Sequence, residues 1–151
     1  MKLASYKGTR RGFKGLLNRA IRWWTNSIYS HNELVFEEFT DNQGNVLCAS
    51  SSASDGGVRF KYIYLEPDKW DIIDLDMSKE RSQKAFQWFA DHNEDEYDYL
   101  GLFGFIWRRE QDKSKWFCNE AIGAALGISN PNWYSPGHFH GMIKENYEVS
   151  K

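Results

Sequence analysis

Two side chains in this 151-residue sequence have the types that nucleophilic acyl transfer needs. Cys118 is a potential sulfur nucleophile, and a cysteine reacts as a thiolate with a base close by. It lies near the start of the apolar, Ala-rich segment 116–127, which predicts a buried helix that begins near Phe117 and ends at Gly127. Free N–H groups at a helix start favour an anion, so we expect a lowered pKa for this thiol. A small buried core residue is the alternative interpretation.

His31 is the candidate base. It follows the polar stretch TNSIYS and stands at the mouth of a predicted strand, ELVFEEF. A sheet would hold the imidazole in one orientation, with one ring nitrogen toward a thiol and the other toward a third group. An ordinary surface histidine is the alternative, so the pair has to be judged together.

The elements that position these residues follow from the hydrophobic pattern. An amphipathic helix near the start places Leu16, Ala20 and Trp24 toward a core. Strands are predicted for the segments that begin at Glu33, Val46, Val58 and Trp70, and helices for 12–26, 78–93, 97–107, 117–127 and 139–144. The prediction is a single α+β domain over 1–151, with an antiparallel sheet packed against helices and the cysteine helix late in the chain.

Composition narrows the classes of protein. With 41% hydrophobic and 17% aromatic residues, the chain is expected to fold rather than stay disordered. No apolar run approaches the roughly 20 residues of a membrane span, and the start lacks the apolar core of a secretory signal. We therefore expect a cytoplasmic protein, with Cys48 and Cys118 as free thiols.

Charge is distributed unevenly along the chain. Every one of the first seven charged residues is basic, and the first acid is Glu33. This region predicts either contact with phosphate or an anionic surface, or a helix with a solvated basic face. Nucleic-acid binding is disfavoured because no basic, aromatic-interleaved strand motif is present. His138 and His140 lack further spaced ligands, so neither a metal site nor a cofactor is predicted.

Two motifs in this order resemble those of the circularly permuted NlpC-type cysteine peptidases and amidohydrolases, relatives of papain. The first is GLLNRAIRWWTNSIYSHNELVF, with an aromatic-ended helix, a Thr, and Ser-His before an apolar strand. The second is an aromatic residue, Cys, a small polar residue and Glu opening an Ala-rich helix, matched by 117–120. The stretch SSSASDGGVRFK is similar to the loop and strand between these motifs in phage and bacterial members, so the protein is expected in the host cytosol if it is phage-encoded. The resemblance covers Gly12 to about Lys144.

The resemblance implies a papain-like fold and a Cys118/His31 dyad. Family members orient the imidazole with a polar group on the next strand; here that choice is Ser50, with Glu33 as the alternative because it shares the strand face of His31. Tyr29 and Trp116 are the candidate substrate contacts.

The implied activity is hydrolysis of an amide bond through an acyl-enzyme, on a peptide, peptidoglycan-stem or acyl substrate. The alternative is a catalytically decayed fold that acts as a partner-binding or inhibitory module. The departure at the third position, where the serine-rich strand lacks the more usual His, Glu or Asn, motivates that alternative.

Overall fold

Seven strands form one mixed sheet in a computed structural model that describes residues 1–9, 12–98 and 115–148. The strands are β1 (Lys2–Tyr6), β2 (His31–Thr40), β3 (Val46–Ser52), β4 (Gly57–Ile63), β5 (Trp70–Asp74), β6 (Glu96–Tyr97) and β7 (Lys115–Trp116). Their order across the sheet is β5-β1-β2-β3-β4-β6-β7. Neighbouring strands run antiparallel, apart from the parallel pair β6 and β7.

Four helices complete the α+β fold: α1 (Gly12–Thr25), α2 (Lys79–Asp91), α3 (Cys118–Ala125) and α4 (Pro136–Tyr147). Ser78, one of two residues that the sequence offers as a cap beside Asp76, caps α2 by accepting a hydrogen bond from the backbone N–H of Arg81 at 3.3 Å. Gly127 follows α3 with φ of 68°, a left-handed conformation that suits glycine and ends a helix. None of the helices among the described residues has the length and apolarity needed to cross a bilayer.

Both faces of the sheet centre are buried, and β2 separates them. Leu34 of β2 packs with Ala49 and with apolar residues of α2, α3 and α4. Val35 points the other way, into a second cluster with Cys48 and Trp70. Because strand side chains alternate between faces, neighbouring β2 residues belong to different layers. The side of the sheet on which a β2 side chain lies is therefore fixed by its position in the strand.

Several sequence predictions differ from the structure. Strand β1 was not predicted, because Lys2 and Lys7 flank a segment too short to show clear alternation. The predicted core face of α1 is wrong, since Leu16 and Trp24 are exposed. Tyr97 lies in β6 instead of a helix, and the rest of the predicted helix, 99–107, lies outside the described residues.

Two further expectations are modified. The sheet is not purely antiparallel, because β6 and β7 pair in parallel. The last helix is also longer than the predicted 139–144: it begins at Pro136 after a cap from Ser135, whose hydroxyl accepts a hydrogen bond from the backbone N–H of His138 at 3.3 Å.

Candidate active site

Cys118 is the first residue of α3, and the local sequence explains why the helix begins there. The carboxylate of Glu120 accepts a hydrogen bond from the backbone N–H of Phe117 at 2.9 Å, which satisfies a donor that the helix cannot. An acidic side chain in the first turn also suits the positive end of the helix dipole. The predicted helix start is confirmed, and it places the thiol at the amino end of α3.

The sulfur of Cys118 lies beside the start of β2. The backbone N–H groups of Asn32 and Asn119 lie close enough to the sulfur to favour its charged form. The thiol donates to the side-chain oxygen of Asn119 at 3.5 Å. The fold therefore brings the sulfur to the backbone of β2 at Asn32, the residue that follows His31. A large separation in sequence is thus closed by packing α3 on β2.

Burial sets the protonation state of Cys118. Only 1% of the residue is exposed. Loss of solvation is the largest influence and raises the pKa of the thiol to about 12; the Glu33 and Glu120 carboxylates add to the rise, and the two N–H groups only partly oppose it. The predicted lowering of this pKa is therefore wrong. At neutral pH the resting group is a thiol, and it needs a base to become a nucleophile.

His31 begins β2, as predicted, and is paired in register with Tyr6. Its ring Nε2 lies 2.8 Å from Oε1 of Glu33, which is on the same face of the strand. Among the described residues, no hydrogen bond joins the His31 ring to the Cys118 sulfur. The ring lies on the face of β2 that carries Glu33 and Val35, whereas α3 packs with Leu34 on the opposite face, so the structure does not bring the imidazole and the sulfur into contact.

Glu33 is an ionised carboxylate buried to 1% exposure. Burial would raise the pKa of this carboxyl, but the charge and hydrogen bonds of Arg59, with a smaller contribution from His31, outweigh burial and hold the pKa at about 2. The Arg59 guanidinium donates to both carboxylate oxygens of Glu33, from Nη1 to Oε2 at 2.6 Å and from Nη2 to Oε1 at 2.5 Å. The third position beside the imidazole is thus occupied by Glu33, the alternative in the sequence prediction.

Ser50, the first choice for the third member, makes a different contact. Its hydroxyl donates to the backbone carbonyl of Asn32 at 2.7 Å, and it is fully buried in β3. The N–H and C=O of one strand residue point to the same side, so Ser50 and the Cys118 sulfur bind the same edge of β2. This corrects the sequence prediction: Ser50 supports the backbone of the site, and Glu33 holds the ring.

Arg59 was missed by the sequence analysis. It lies on β4, in register with Ser50, and its guanidinium bridges Glu33 and Asp55, to which it donates at 3.0 Å. Lys61, two residues on, donates to the same Asp55 at 2.9 Å. The available signal was the alternation of basic residues in GVRFKYI, which gives one strand face two cations. Without the strand order, that signal does not identify Glu33 as the partner.

The two predicted substrate contacts are engaged elsewhere. Tyr29 donates to Asp71 at 2.6 Å and stacks on His140 with ring centroids 4.4 Å apart. Trp116 donates its ring N–H to Asp95 at 3.0 Å, and its carbonyl accepts from Ser51 at 2.6 Å. Each contact is part of the framework around the site. Trp116 also fixes the backbone two residues before Cys118.

His138 and His140 lie on α4. His140 shares a hydrogen bond with Ser5 at 2.8 Å through its Nδ1, while His138 is exposed. Within residues 1–9, 12–98 and 115–148, no group of three or more His, Cys, Asp or Glu side chains is arranged to hold a metal ion.

No model of a protein family matches this chain, and no curated protein matches its sequence. The NlpC-type resemblance is therefore carried by the two motifs alone, and the chemistry of the site has to be argued from its own geometry.

Proposed function

We propose that the protein is a cysteine hydrolase of the permuted papain-like type, with Cys118 as nucleophile, His31 as general base and Glu33 as the group that orients the base. Its substrate class is an amide or related acyl bond in a peptide, a peptidoglycan stem or an acyl conjugate. The observation that carries the proposal is the hydrogen bond between His31 and an ionised, Arg-clamped carboxylate, beside the strand residue whose N–H contacts the sulfur.

The state of Glu33 determines which ring nitrogen of His31 acts as the base. An ionised carboxylate can only accept, so Nε2 of the ring carries the proton in this contact. In the neutral imidazole the other nitrogen, Nδ1, then has a free lone pair. The proposed reaction assigns to that nitrogen the proton of the Cys118 thiol, so the ring has to move from the Glu33 face of β2 to reach the sulfur on the α3 side. Glu33 would stabilise the imidazolium that results.

The reaction follows as general-base catalysis. His31 Nδ1 takes the thiol proton while Sγ attacks the carbonyl carbon, and N–H groups at the start of α3 stabilise the oxyanion. The imidazolium returns the proton to the leaving amine as the carbon–nitrogen bond breaks. Water, deprotonated by the same ring, then releases the acyl group and regenerates the thiol. The high pKa of Cys118 requires this concerted transfer instead of a resting thiolate.

Burial of Cys118 favours a second candidate function. A thiol exposed by only 1%, with a pKa of about 12, also fits a structural cysteine in a fold that has lost catalysis. In that case the protein acts as a partner-binding or inhibitory module, and the Glu33–Arg59 pair serves stability.

Acylation by p-nitrophenyl acetate separates the two functions. We expect the reagent to acetylate Cys118, as located by peptide mass mapping, with release of nitrophenolate. The matched control is Cys48, which is also fully buried but lies in the other core cluster. The C48S variant should keep the acylation rate, and C118S should abolish it.

The general base is tested by H31Q, whose amide can still bond Glu33. Loss of the base should slow acylation at Cys118 by a factor of about 10² to 10⁴. Equal labelling of Cys48 and Cys118, or no effect of H31Q, would refute the hydrolase and favour the binding module. If the C118S variant kept the full biological effect of the wild type, that result would also favour the binding module.

A further inference from the structure

Helix α1 presents an apolar face that points away from the sheet. Leu16 is 62% exposed, Trp23 79% and Trp24 52%, and Ile28, just beyond the helix, is 60% exposed. Positions 16, 20 and 23 follow helical spacing, and Ala20, the middle one, is also exposed. We refer to Leu16, Ala20, Trp23, Trp24 and Ile28 as the Trp23 face.

Polar bonds fix the orientation of α1. The side-chain amide of Asn18 donates to Ser30 at 2.9 Å. The Arg22 guanidinium donates to the backbone carbonyl of Lys7 at 2.6 Å and to Thr9 at 2.7 Å. These contacts tie the helix to the segment after β1 and to the residue before β2. The exposed apolar face is therefore held outward by the fold, and such a contiguous face marks an interaction surface.

The part of the sequence that contains this helix is basic, although two of its lysines are paired with carboxylates: Lys2 with Glu37 and Asp74, and Lys7 with Asp71. The first 32 residues contain seven Lys or Arg and no Asp or Glu, a net charge of +7. With 19 basic and 21 acidic residues in all, the remaining 119 residues carry 12 and 21, a net charge of −9. Arg19 is exposed and lines an open groove of about 450 Å³ with Leu16, Ala20, Arg22 and Trp23. A complementary partner must offer negative charge and an apolar layer together.

We propose that α1 docks lengthwise on an anionic lipid bilayer, with the Trp23 face in the interface and Arg19 at the headgroup phosphates. Tryptophan favours the membrane–water interface because its ring is apolar with one polar N–H. Apolar side chains and cations on one short helix are the combination by which interfacial helices bind. A nucleic acid would satisfy the charge but would not bury Leu16 and Ile28. This inference stands apart from the proposed hydrolase.

Vesicle co-sedimentation of the full chain tests the proposal. Vesicles of phosphatidylcholine alone are compared with vesicles that also contain phosphatidylglycerol, at about 0.1 M and about 1 M salt, where the Debye length falls from about 10 Å to about 3 Å. The variants are W23A/W24A and R19E. Matched controls are Y64A, an aromatic residue 61% exposed outside α1, and K79E, an exposed lysine on α2. Thermal unfolding verifies that each variant is folded.

Binding is expected to anionic vesicles only, and to be lost at high salt. R19E should weaken binding by more than about fivefold, the effect of one cation near an anionic surface. W23A/W24A should weaken it by more than about tenfold. Y64A and K79E should bind like the wild type. Absence of vesicle binding, equal binding to neutral vesicles, or equal loss in the controls would overturn the proposal. So would light scattering that shows a dimer dispersed by W23A/W24A, or nucleic-acid binding with no vesicle binding.

Discussion

Replacing Arg59 by methionine should lower the free energy of unfolding more than any other single change at a charged residue near the site. Arg59 is the cation that keeps the buried Glu33 ionised. A carboxyl whose pKa falls from 4.5 to about 2 on folding contributes about 3 kcal/mol to the free energy of unfolding at neutral pH. R59M removes this contribution and leaves a buried charge without its main partner, so we expect a loss of about 3–5 kcal/mol.

Lys61 supplies the matched control. It lies on the same strand face and also donates to Asp55, but it is half exposed. K61M should therefore cost less than about 1 kcal/mol. Urea unfolding, followed by tryptophan fluorescence at about pH 7, measures both variants.

The pH dependence of the unfolding free energy provides a second test, because its direction differs between the wild type and R59M. In the wild type, the contribution of Glu33 is complete above its ordinary pKa of 4.5 and is lost as the pH falls toward about 2. In R59M, burial then dominates and raises the pKa of Glu33, so acid relieves the unpaired charge. The difference in unfolding free energy between wild type and R59M should therefore shrink as the pH is lowered from 7. An R59M loss no larger than that of K61M, or one that grows in acid, would refute this account of Glu33.

Three further predictions follow from local contacts. Burial lowers the pKa of His140 below its ordinary 6.5, so unfolding free energy should fall as the pH drops below that value, and H140Q should flatten this dependence in pH-resolved urea titrations. G57A should destabilise by several kcal/mol, because a Cβ there overlaps the carbonyl of Asp95, whereas G141A on α4 has open space and should stabilise by about 0.5–1 kcal/mol; calorimetry compares them. Alkylation of Cys118 by iodoacetamide should keep rising with pH up to about pH 10, because its pKa is about 12; a plateau near neutrality would contradict that protonation state.

The start of α3 and the start of β2 could be predicted because both are encoded locally. The aromatic–Cys–polar–Glu pattern carries its own cap in Glu120, and the apolar run after His31 marks a strand. The environment of Cys118 could not be predicted, because its burial depends on β2, residues far away in sequence. A helix-start argument considers one dipole, and here desolvation outweighs it.

The face of α1 shows another limit of periodicity. Leu16, Ala20 and Trp24 recur at the spacing of a buried stripe, and the hydrophobic pattern assigns them to the core. The structure instead anchors the helix through Asn18 and Arg22. A pattern of apolar residues indicates which face seeks an apolar surrounding, but it does not distinguish a protein core from an external surface.

Glu33 and Arg59 illustrate a third case. The spacing of His31 and Glu33 was sufficient to place them on one strand face, so the contact was available as an alternative. The cation that pairs with Glu33 could not be predicted, since Arg59 reaches Glu33 through the register of two hairpins.

The position of β1 has a consequence for how the chain assembles. β1 lies between β2 and β5, and Lys2 pairs with Asp74, so the ring closed by that pairing contains almost half of the chain. The meander from β2 to β4 needs only short turns, whereas β5 joins the sheet through β1, which is distant in sequence. The β1–β5 edge should therefore form late and open early, and amide hydrogens of β5 should exchange sooner than those of β3. A peptide fused at the amino end of β1 should therefore disturb the β1–β5 pairing before it disturbs the meander.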